Sequence, residues 1–312
     1  MIQLSNVTKL YGSVIGVNDI TLQVPSGAHG LLGPNGSGKS TLLNLITGQL
    51  RPTLGEVRTL EHRPWNSRDL LRRIGVCPEQ DVLYPNVTAF DWVTYLLKLH
   101  GFGRKQAAEA AERTLAEVGM EHAMYRPMGG YSRGMRQRTK IAQTLAHDPD
   151  LLILDEPFNG LDPIGRHLMI ELFQGLVARG KGLLLASHVL HEVESITSSF
   201  LLICGGRLLA SGSADEIHAL LDDVPDEIRI RCNKPSHLAR RLLETDTVAA
   251  LRLSDDGQSL VVSTRSPATV YAKLPEWIAE TDIQIDDFRS SGESLQSLFD
   301  SLMRIHRGRA RA

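Results

Sequence analysis

Long hydrophobic runs and cysteine pairs are both missing from this 312-residue sequence. Its longest apolar runs, such as residues 151–154 and 183–186, fall far short of the ~20 residues needed to span a bilayer. They are typical of buried strands, and residues 1–12 lack the basic region and apolar block of a signal peptide. The three cysteines are widely spaced and form no CxxC pair: Cys77, Cys204 and Cys232. That spacing argues against a disulfide framework or a zinc site and predicts buried thiols in a reducing compartment.

The chain also lacks a strong excess of charge of either sign. Its net charge is −2, which argues against a protein whose main task is to coat nucleic acid. The apolar content of 42% is sufficient for full hydrophobic cores. The length suits one large domain together with a small one.

The order of apolar strands and amphipathic helices divides the chain in two. Up to residue 221, apolar strands alternate with helices, which predicts a largely parallel sheet with helices on its faces. From residue 226 the order becomes strand, helix, two strands, helix, strand, and then a last helix. This βαββαβ order predicts a small ferredoxin-like α+β domain. We therefore predict two domains, residues 1–221 and 226–312.

A glycine-rich turn between an apolar strand and a helix carries the strongest chemical signal. Residues 33–40 read GPNGSGKS and satisfy the phosphate-binding pattern GxxxxGK[ST]. Glycines at 33, 36 and 38 are expected to adopt torsions closed to other residues, so that backbone N–H groups approach phosphate oxygens. Lys39 adds a point charge for the β- and γ-phosphates, and the Ser40 hydroxyl is a ligand for Mg²⁺. The alternative is a glycine-rich turn that matches the pattern by chance, and the predicted strand before it and helix after it argue against that alternative.

Two carboxylates follow a second apolar strand. Asp155 and Glu156 end the run LLILDE, at the carboxyl edge of the predicted sheet, where α/β proteins bind ligands. An aspartate there can hold Mg²⁺ through water, and a glutamate can polarise an attacking water. The pair is a weak signal alone and a strong one beside the phosphate pattern.

Five further positions, in order along the chain, make the sequence resemble an ABC-type ATPase. Residues 33–41 match the Walker A loop and residues 151–157 the Walker B strand of that family. The others match the adenine-stacking aromatic, the glutamine loop, the signature serine, the D-loop aspartate and the switch histidine: Tyr11, Gln80, Ser132, Asp162 and His188. Each alone has a plain alternative, such as a surface glutamine or a capped core histidine. The ordered set carries the resemblance, which covers almost the whole chain.

The stretch YSRGMRQR, residues 131–138, occupies the place of the family signature, commonly LSGGQ. Ser132 and Gly134 are retained, whereas Tyr131, Arg133 and Met135 replace leucine, glycine and glutamine. By resemblance, the Ser132 hydroxyl, the Gly134 N–H and the start of the next helix bind a γ-phosphate held by a second subunit. This type of signature is similar to that of ATPases serving exporters of drugs, polysaccharides and lipids.

The resemblance implies a P-loop NTPase fold with an N-terminal antiparallel β-subdomain and a helical signature subdomain, and it implies ATP and Mg²⁺ as ligands. The nucleotide is expected to bind Tyr11, Gly33, Pro34, Asn35, Gly36, Ser37, Gly38, Lys39, Ser40, Thr41, Gln80, Ser132, Gly134 and Asp162. The cation is expected to bind Ser40, Gln80 and Asp155. Hydrolysis is expected to depend on Lys39, Gln80, Glu156 and His188.

The same resemblance implies the ATP-hydrolysing subunit of a membrane transporter, in the exporter branch. Its expected partners are a multi-spanning permease and a second ATPase subunit, with no nucleic acid, at the cytoplasmic face of the membrane. A homodimer is favoured over a heterodimer because one chain carries all the hydrolytic residues. Two alternatives stay open at this point: an ABC ATPase that transports nothing, and a regulatory ATPase that signals through its C-terminal domain.

Overall fold

A computed structural model describes residues 1–80, 83–219, 226–245, 248–254, 257–280 and 282–290. The strands are β1 Ile2–Tyr11, β2 Val14–Val24, β3 Ala28–Leu32, β4 Leu54–Thr59, β5 Ile74–Cys77, β6 Leu151–Asp155, β7 Gly182–Ser187, β8 Ser199–Cys204, β9 Arg207–Ser213, β10 Asp226–Cys232, β11 Val248–Leu253, β12 Ser259–Thr264 and β13 Ile285–Ser290. The helices are α1 Lys39–Ile46, α2 Arg68–Arg73, α3 Ala89–Leu99, α4 Arg104–Glu117, α5 Arg133–Leu145, α6 Pro163–Ala178, α7 Leu190–Glu194, α8 Ala214–Ala219, α9 Pro235–Leu243 and α10 Pro267–Glu280.

The chain divides into two compact units, Met1–Gly212 and Ser213–Ala312. This division falls earlier than residue 221, because β9 is the last strand of the large sheet and α8 already belongs to the second unit. The assignment of two functional domains, 1–221 and 226–312, stays a prediction.

The first unit contains two sheets. A three-stranded sheet has the order β2-β1-β4 with antiparallel pairs, as expected for the N-terminal β-subdomain. A six-stranded sheet has the order β5-β6-β7-β3-β8-β9, and its pairs from β5 to β8 are parallel. Strands β3, β6 and β7 are adjacent, so their carboxyl ends, the loops that follow them and their polar residues meet at one edge. Parallel strands buried on both faces explain the continuous apolar runs of the sequence.

Helices α3, α4 and α5 pack together and form the predicted helical subdomain. The buried face of α4 is built largely from small and aliphatic residues at helical spacing, such as Ala107, Ala110, Ala111 and Leu115. Gly119 follows α4 with a φ of 72°, a left-handed torsion that ends the helix. The signature helix α5 begins at Arg133 because the side chain of the preceding serine caps it there.

The second unit confirms the predicted βαββαβ order over its described residues. Its four-stranded antiparallel sheet has the order β11-β12-β10-β13, the strand order of a ferredoxin-like fold. Helices α9 and α10 contribute to one core with alternate residues of β10 and β12. The predicted last helix, residues 293–306, lies outside the described residues, as do residues 255 and 256 in the turn between β11 and β12.

Among the described residues, no helix is long and apolar enough to cross a membrane. All three cysteines are buried, as predicted.

Candidate active site

The glycine-rich loop connects β3 to α1, the context that the phosphate pattern requires. Gly36 and Gly38 have φ values of 76° and 108°, which confirms the expected left-handed torsions at these two positions. The expectation is wrong for Gly33, whose φ is not in the left-handed region. Gly33 is needed for space instead, because a Cβ there would collide with the carbonyl oxygen of Ile203 and with Ser37 Oγ.

A cavity of about 360 Å³ opens over this loop. It is lined by Tyr11, Val14, Ile15, Gly16, Pro34, Asn35, Gly36, Gly38, Lys39, Ser40, Thr41, Glu79, Asp155 and Glu156. The structure thus brings together most of the residues expected around the nucleotide. Gly33 and Ser37 lie in the same loop behind this lining, and Ser37 is buried.

The ammonium group of Lys39 is buried at the floor of the cavity. Its Nζ donates to the carbonyl oxygen of Gly33 at 2.7 Å and lies 3.9 Å from Glu156 Oε1. Helix α1 begins at this lysine, and its N-cap residue Gly38 has no side chain that could accept a hydrogen bond, so the first N–H groups of the helix remain available to an anion. A buried cation and a helix N-terminus therefore face the same space.

Asp155 and Ser40 lie together in the lining of the cavity. Ser40 Oγ donates to Asp155 Oδ2 at 2.9 Å, while Asp155 Oδ1 is buried and has no hydrogen-bond partner among the described residues. Burial raises the pKa of the Asp155 carboxyl, and the Ser40 hydrogen bond opposes that shift. A buried oxygen that lacks a donor suits a hard divalent cation, so these residues fit Mg²⁺.

Glu156 is held in a strained backbone conformation directly after strand β6. Its φ is 50°, in the left-handed region that a residue with a Cβ seldom adopts, and its N–H donates to the carbonyl oxygen of Ala186 at 2.9 Å. The carboxylate contacts His188 Nδ1 at 2.9 Å and Ser187 Oγ at 3.4 Å. The strain is maintained by the neighbouring strand β7, and it turns the carboxylate into the cavity.

A second cavity, of about 220 Å³, adjoins the first and accounts for Gln80. Ser40, Glu79 and Asp155 line both cavities, whereas Gln80 lines only the second. Glu79 was missed by the sequence reasoning, although it stands next to Gln80. Its charge contributes to the raised pKa of Asp155, after the larger effect of burial.

Tyr11 ends β1 at the opposite wall, with 45% of its surface exposed. Its hydroxyl lies 3.4 Å from Thr41 Oγ1. Gly16 also lines the cavity, although it belongs to none of the motifs identified in the sequence, and a Cβ there would lie 2.7 Å from the Tyr11 ring. A glycine inside a strand indicates a close approach of this kind, and that signal could have identified it.

The signature residues lie outside the lining of the first cavity. Ser132 caps α5 by accepting the Met135 N–H at 3.2 Å, and Asp162 caps α6 by accepting the Gly165 N–H at 3.2 Å. Tyr131, which replaces the usual leucine, is buried and donates its hydroxyl to the Ala123 carbonyl oxygen at 2.8 Å. The replacement therefore keeps the buried position and adds a hydrogen bond.

Comparison with known proteins agrees with this geometry. The family model described as "ABC transporter" matches residues 17–159. Nod factor export ATP-binding protein I of Cupriavidus metallidurans is 34% identical over 88% of this chain and 89% of its own length. The daunorubicin/doxorubicin resistance ATP-binding protein of Streptomyces peucetius is 30% identical over 96% of this chain and 92% of its own.

Solved structures give the same result. A structure described as the ATP-binding subunit of an ABC transporter superposes with a TM-score of 0.66 at 28% identity, covering 71% of this chain and 93% of that one. A dimeric ATP-binding cassette in a post-hydrolysis state with ADP and Pi gives a TM-score of 0.64 at 26% identity, covering 68% and 98%. The chain belongs to the ABC transporter family, as a subunit that binds ATP with Mg²⁺ and hydrolyses it, in the branch of the export ATPases.

Proposed function

We propose that the cavity over the glycine-rich loop is the ATPase site and that each lining residue has a defined role. The observation that supports this most is the convergence of Lys39, Ser40, Asp155 and Glu156 at the carboxyl edge of adjacent parallel strands. Lys39 and the N–H groups of the loop bind the β- and γ-phosphates. Tyr11 stacks on the adenine.

The cation is held by Ser40 and Asp155, with Gln80 approaching from the second cavity. When bound, Mg²⁺ neutralises charge on the phosphates as they react. Glu156 accepts a proton from the attacking water, or orients it, from its position beside His188. His188 holds the carboxylate in place and turns its other ring nitrogen toward the γ-phosphate.

We propose further that two copies of the chain close around two ATP molecules. Ser132, Gly134 and Asp162 do not line the first cavity of their own chain, which supports a role at the site of the facing subunit. One chain carries every hydrolytic residue, and this favours a homodimer.

The membrane partner in this proposal is a multi-spanning permease, and the ATPase is bound to it at the cytoplasmic face. Relatives named for Nod factor export and for drug resistance favour export as the direction. The partner's cytoplasmic helix docks near Gln80 and the segment 81–91, of which residues 81 and 82 lie outside the described residues. Two aromatic rings beside it suit an apolar contact: Tyr84 is exposed and lies against the half-buried Trp92, with ring centroids 5.2 Å apart and the rings tilted by 56°.

The experiment uses tagged Glu156→Gln protein, in which bound ATP persists. For the partner, it is incubated with detergent-solubilised membranes of the source cells, with ATP and Mg²⁺ or with ADP, and we expect mass spectrometry to identify a co-purifying multi-spanning protein. For the dimer, light scattering of the purified protein is expected to show a dimer in ATP and a monomer in ADP. Recovery of the ATPase alone, or with ribosomes, would contradict the transport proposal and favour an ABC ATPase that transports nothing. If the protein stayed monomeric in ATP, the dimer proposal would be wrong.

A further inference from the structure

Arg133 occupies a position where neither its charge nor its size is expected. It is the first residue of α5, which has no acidic residue in its first turn, and positive charge at a helix N-terminus is unfavourable. The signature of the family commonly has glycine here. A contact made by the side chain must therefore explain this arginine.

The stem of Arg133 lies across the backbone of Gly160, in the loop that follows the catalytic carboxylate. A Cβ placed on Gly160 would lie 2.5 Å from Arg133 Cγ, 2.7 Å from Cδ and 2.9 Å from Nε. Gly160 has a φ of 79°, so this position requires glycine for its torsion as well as for space. The arginine stem thus fills the volume that a side chain at 160 would take.

Three more contacts join the same face of α5 to the same loop. Gln137 Nε2 donates to the Pro157 carbonyl oxygen at 2.8 Å, and both residues are buried. Arg138 Nη2 lies 3.5 Å from Asp162 Oδ1. A Cβ on Gly134 would lie 3.0 Å from the Gly160 carbonyl oxygen, so the two backbones are in close contact.

These contacts come from positions 133, 134, 137 and 138, which lie on one face of the helix. They meet the loop from residue 157 to residue 162, which begins directly after Glu156. We propose that Arg133 is a positioning residue that fixes this loop to the first turn of α5, so that the signature turn and the segment leaving Glu156 move as one unit. The inference rests on the proposed roles of Glu156 and of the signature turn at the facing subunit's ATP.

The test compares Arg133→Gly with Arg104→Gly. Arg104 is also the first residue of a helix after its cap, and it is exposed, so its replacement has the same backbone and charge consequences without the loop contact. We expect Arg133→Gly to lower kcat about tenfold, as small displacements of reacting groups do, and to reduce the Hill coefficient toward 1. Binding of ADP with Mg²⁺, measured by calorimetry, should be unchanged.

Arg133→Met separates the stem from the charge. Methionine keeps an unbranched stem of similar reach, so we expect it to retain most of kcat. Equal loss in Arg133→Met and Arg133→Gly would overturn the packing assignment. The assignment would also be wrong if Arg133→Gly and Arg104→Gly had the same activity, because glycine at position 133 would then be harmless.

A double-mutant cycle with Gly160→Ala measures the coupling in kcat between positions 133 and 160, which a general loss of stability would not change. In the wild-type background the new methyl group displaces the Arg133 stem; in Arg133→Gly that stem is absent. We expect the loss in kcat from Gly160→Ala to be smaller in the second background. Additive losses would overturn the inference. Failure of the dimer proposal is seen separately, since the wild-type enzyme would then hydrolyse ATP without cooperativity and Glu156→Gln would stay monomeric.

Discussion

The imidazole of His188 and the carboxylate of Glu156 are in direct contact, with Nδ1 2.9 Å from Oε1. The carboxylate is buried and its backbone is strained, whereas the histidine side chain is 46% exposed. The ring therefore contacts the Glu156 carboxylate on one side and is exposed to solvent on the other. This arrangement gives the two residues different expected phenotypes.

Replacing Glu156 with glutamine should slow turnover strongly and leave nucleotide binding intact. Glutamine keeps the shape and the contact to His188 but cannot accept a proton, so we expect kcat to fall by about 10²–10³-fold. Binding of ATP should be retained or tightened because a carboxylate near the γ-phosphate is lost. Phosphate release and calorimetry measure the two quantities. Glu109→Gln, on the exposed face of α4, is the control and should behave as wild type.

His188→Ala tests whether the histidine acts only through Glu156. The alanine leaves Glu156 charged but free to turn, so we expect kcat to fall by about 10–10²-fold with KM little changed. His167→Ala is the control, since His167 is an exposed residue of α6 whose ring pairs with Glu171 one turn further along the helix. If the double variant Glu156→Gln/His188→Ala lost the sum of the two effects, the residues would act independently, and the positioning role would be wrong.

The order of elements could be predicted because apolar period and glycine punctuation are local features. Strands β6 and β7 and the whole βαββαβ order of the second unit were identified from runs of a few residues each. The positions of Lys39, Asp155 and Glu156 at one sheet edge followed from the rule that parallel strands end together.

Contacts made through space were beyond local reasoning. The sequence suggested that Gly33 is needed for its backbone torsion. In the structure a side chain at position 33 is excluded by the carbonyl oxygen of Ile203, which lies on the neighbouring strand β8 and is distant in sequence. Glu79 and Gly16 enter the cavity only because neighbouring strands bring them there. The strain at Glu156 also depends on β7, which the sequence around Glu156 does not contain.

Asp155→Asn should abolish hydrolysis and raise stability at neutral pH. Burial raises the pKa of Asp155, so the folded state holds its proton more tightly than the unfolded state, and ionisation at higher pH reduces the free energy of unfolding. Asparagine removes that cost and can still accept from Ser40.

We therefore expect a higher Tm for Asp155→Asn at pH 7.5 without nucleotide, and a difference that shrinks as the pH falls through the range where Asp155 takes up its proton. Asp286→Asn, at an exposed position of β13, is the control and should leave Tm unchanged. A variant less stable than wild type at every pH would contradict the burial argument. Calorimetry across the pH range provides the measurement.

Gly16→Ala should weaken ATP binding without slowing the chemical step. The new methyl group would lie 2.7 Å from the Tyr11 ring and 2.9 Å from Thr41 Cγ2, and the ring must move away from its place over the cavity. Base stacking is typically worth ~1–3 kcal/mol, so we expect KM to rise about tenfold with kcat retained. Gly103→Ala is the control, because the nearest atom to its Cβ is 3.6 Å away. If Gly16→Ala lowered kcat instead, the glycine would serve the phosphate loop and not the tyrosine.

The buried side chain of His147 is expected to make the first unit less stable in acid. Its ring stacks on His100 with centroids 4.2 Å apart, and its Nε2–H donates to the Ile74 carbonyl oxygen at 2.9 Å. Burial, with a smaller contribution from the charge of His100, lowers the pKa of His147 from 6.5 to about 4. Between pH 6.5 and pH 4 the unfolded state therefore binds a proton at this histidine and the folded state does not. The free energy of unfolding is thus unaffected by His147 above pH 6.5 and decreases as the pH falls toward 4, by about 2–3 kcal/mol.

His147→Gln keeps a donor for Ile74 and removes the titrating group. We expect it to be less stable than wild type at pH 7.5, because the stacked ring is lost, and to lose less stability between pH 6.5 and pH 4.5. Urea unfolding at several pH values measures both effects, and His167→Gln, at an exposed position, should reproduce the wild-type slope. An equal slope in His147→Gln and wild type would mean that other groups cause the acid sensitivity. A flatter slope would identify the burial of this neutral imidazole, packed where α5 ends beside β5, as its cause.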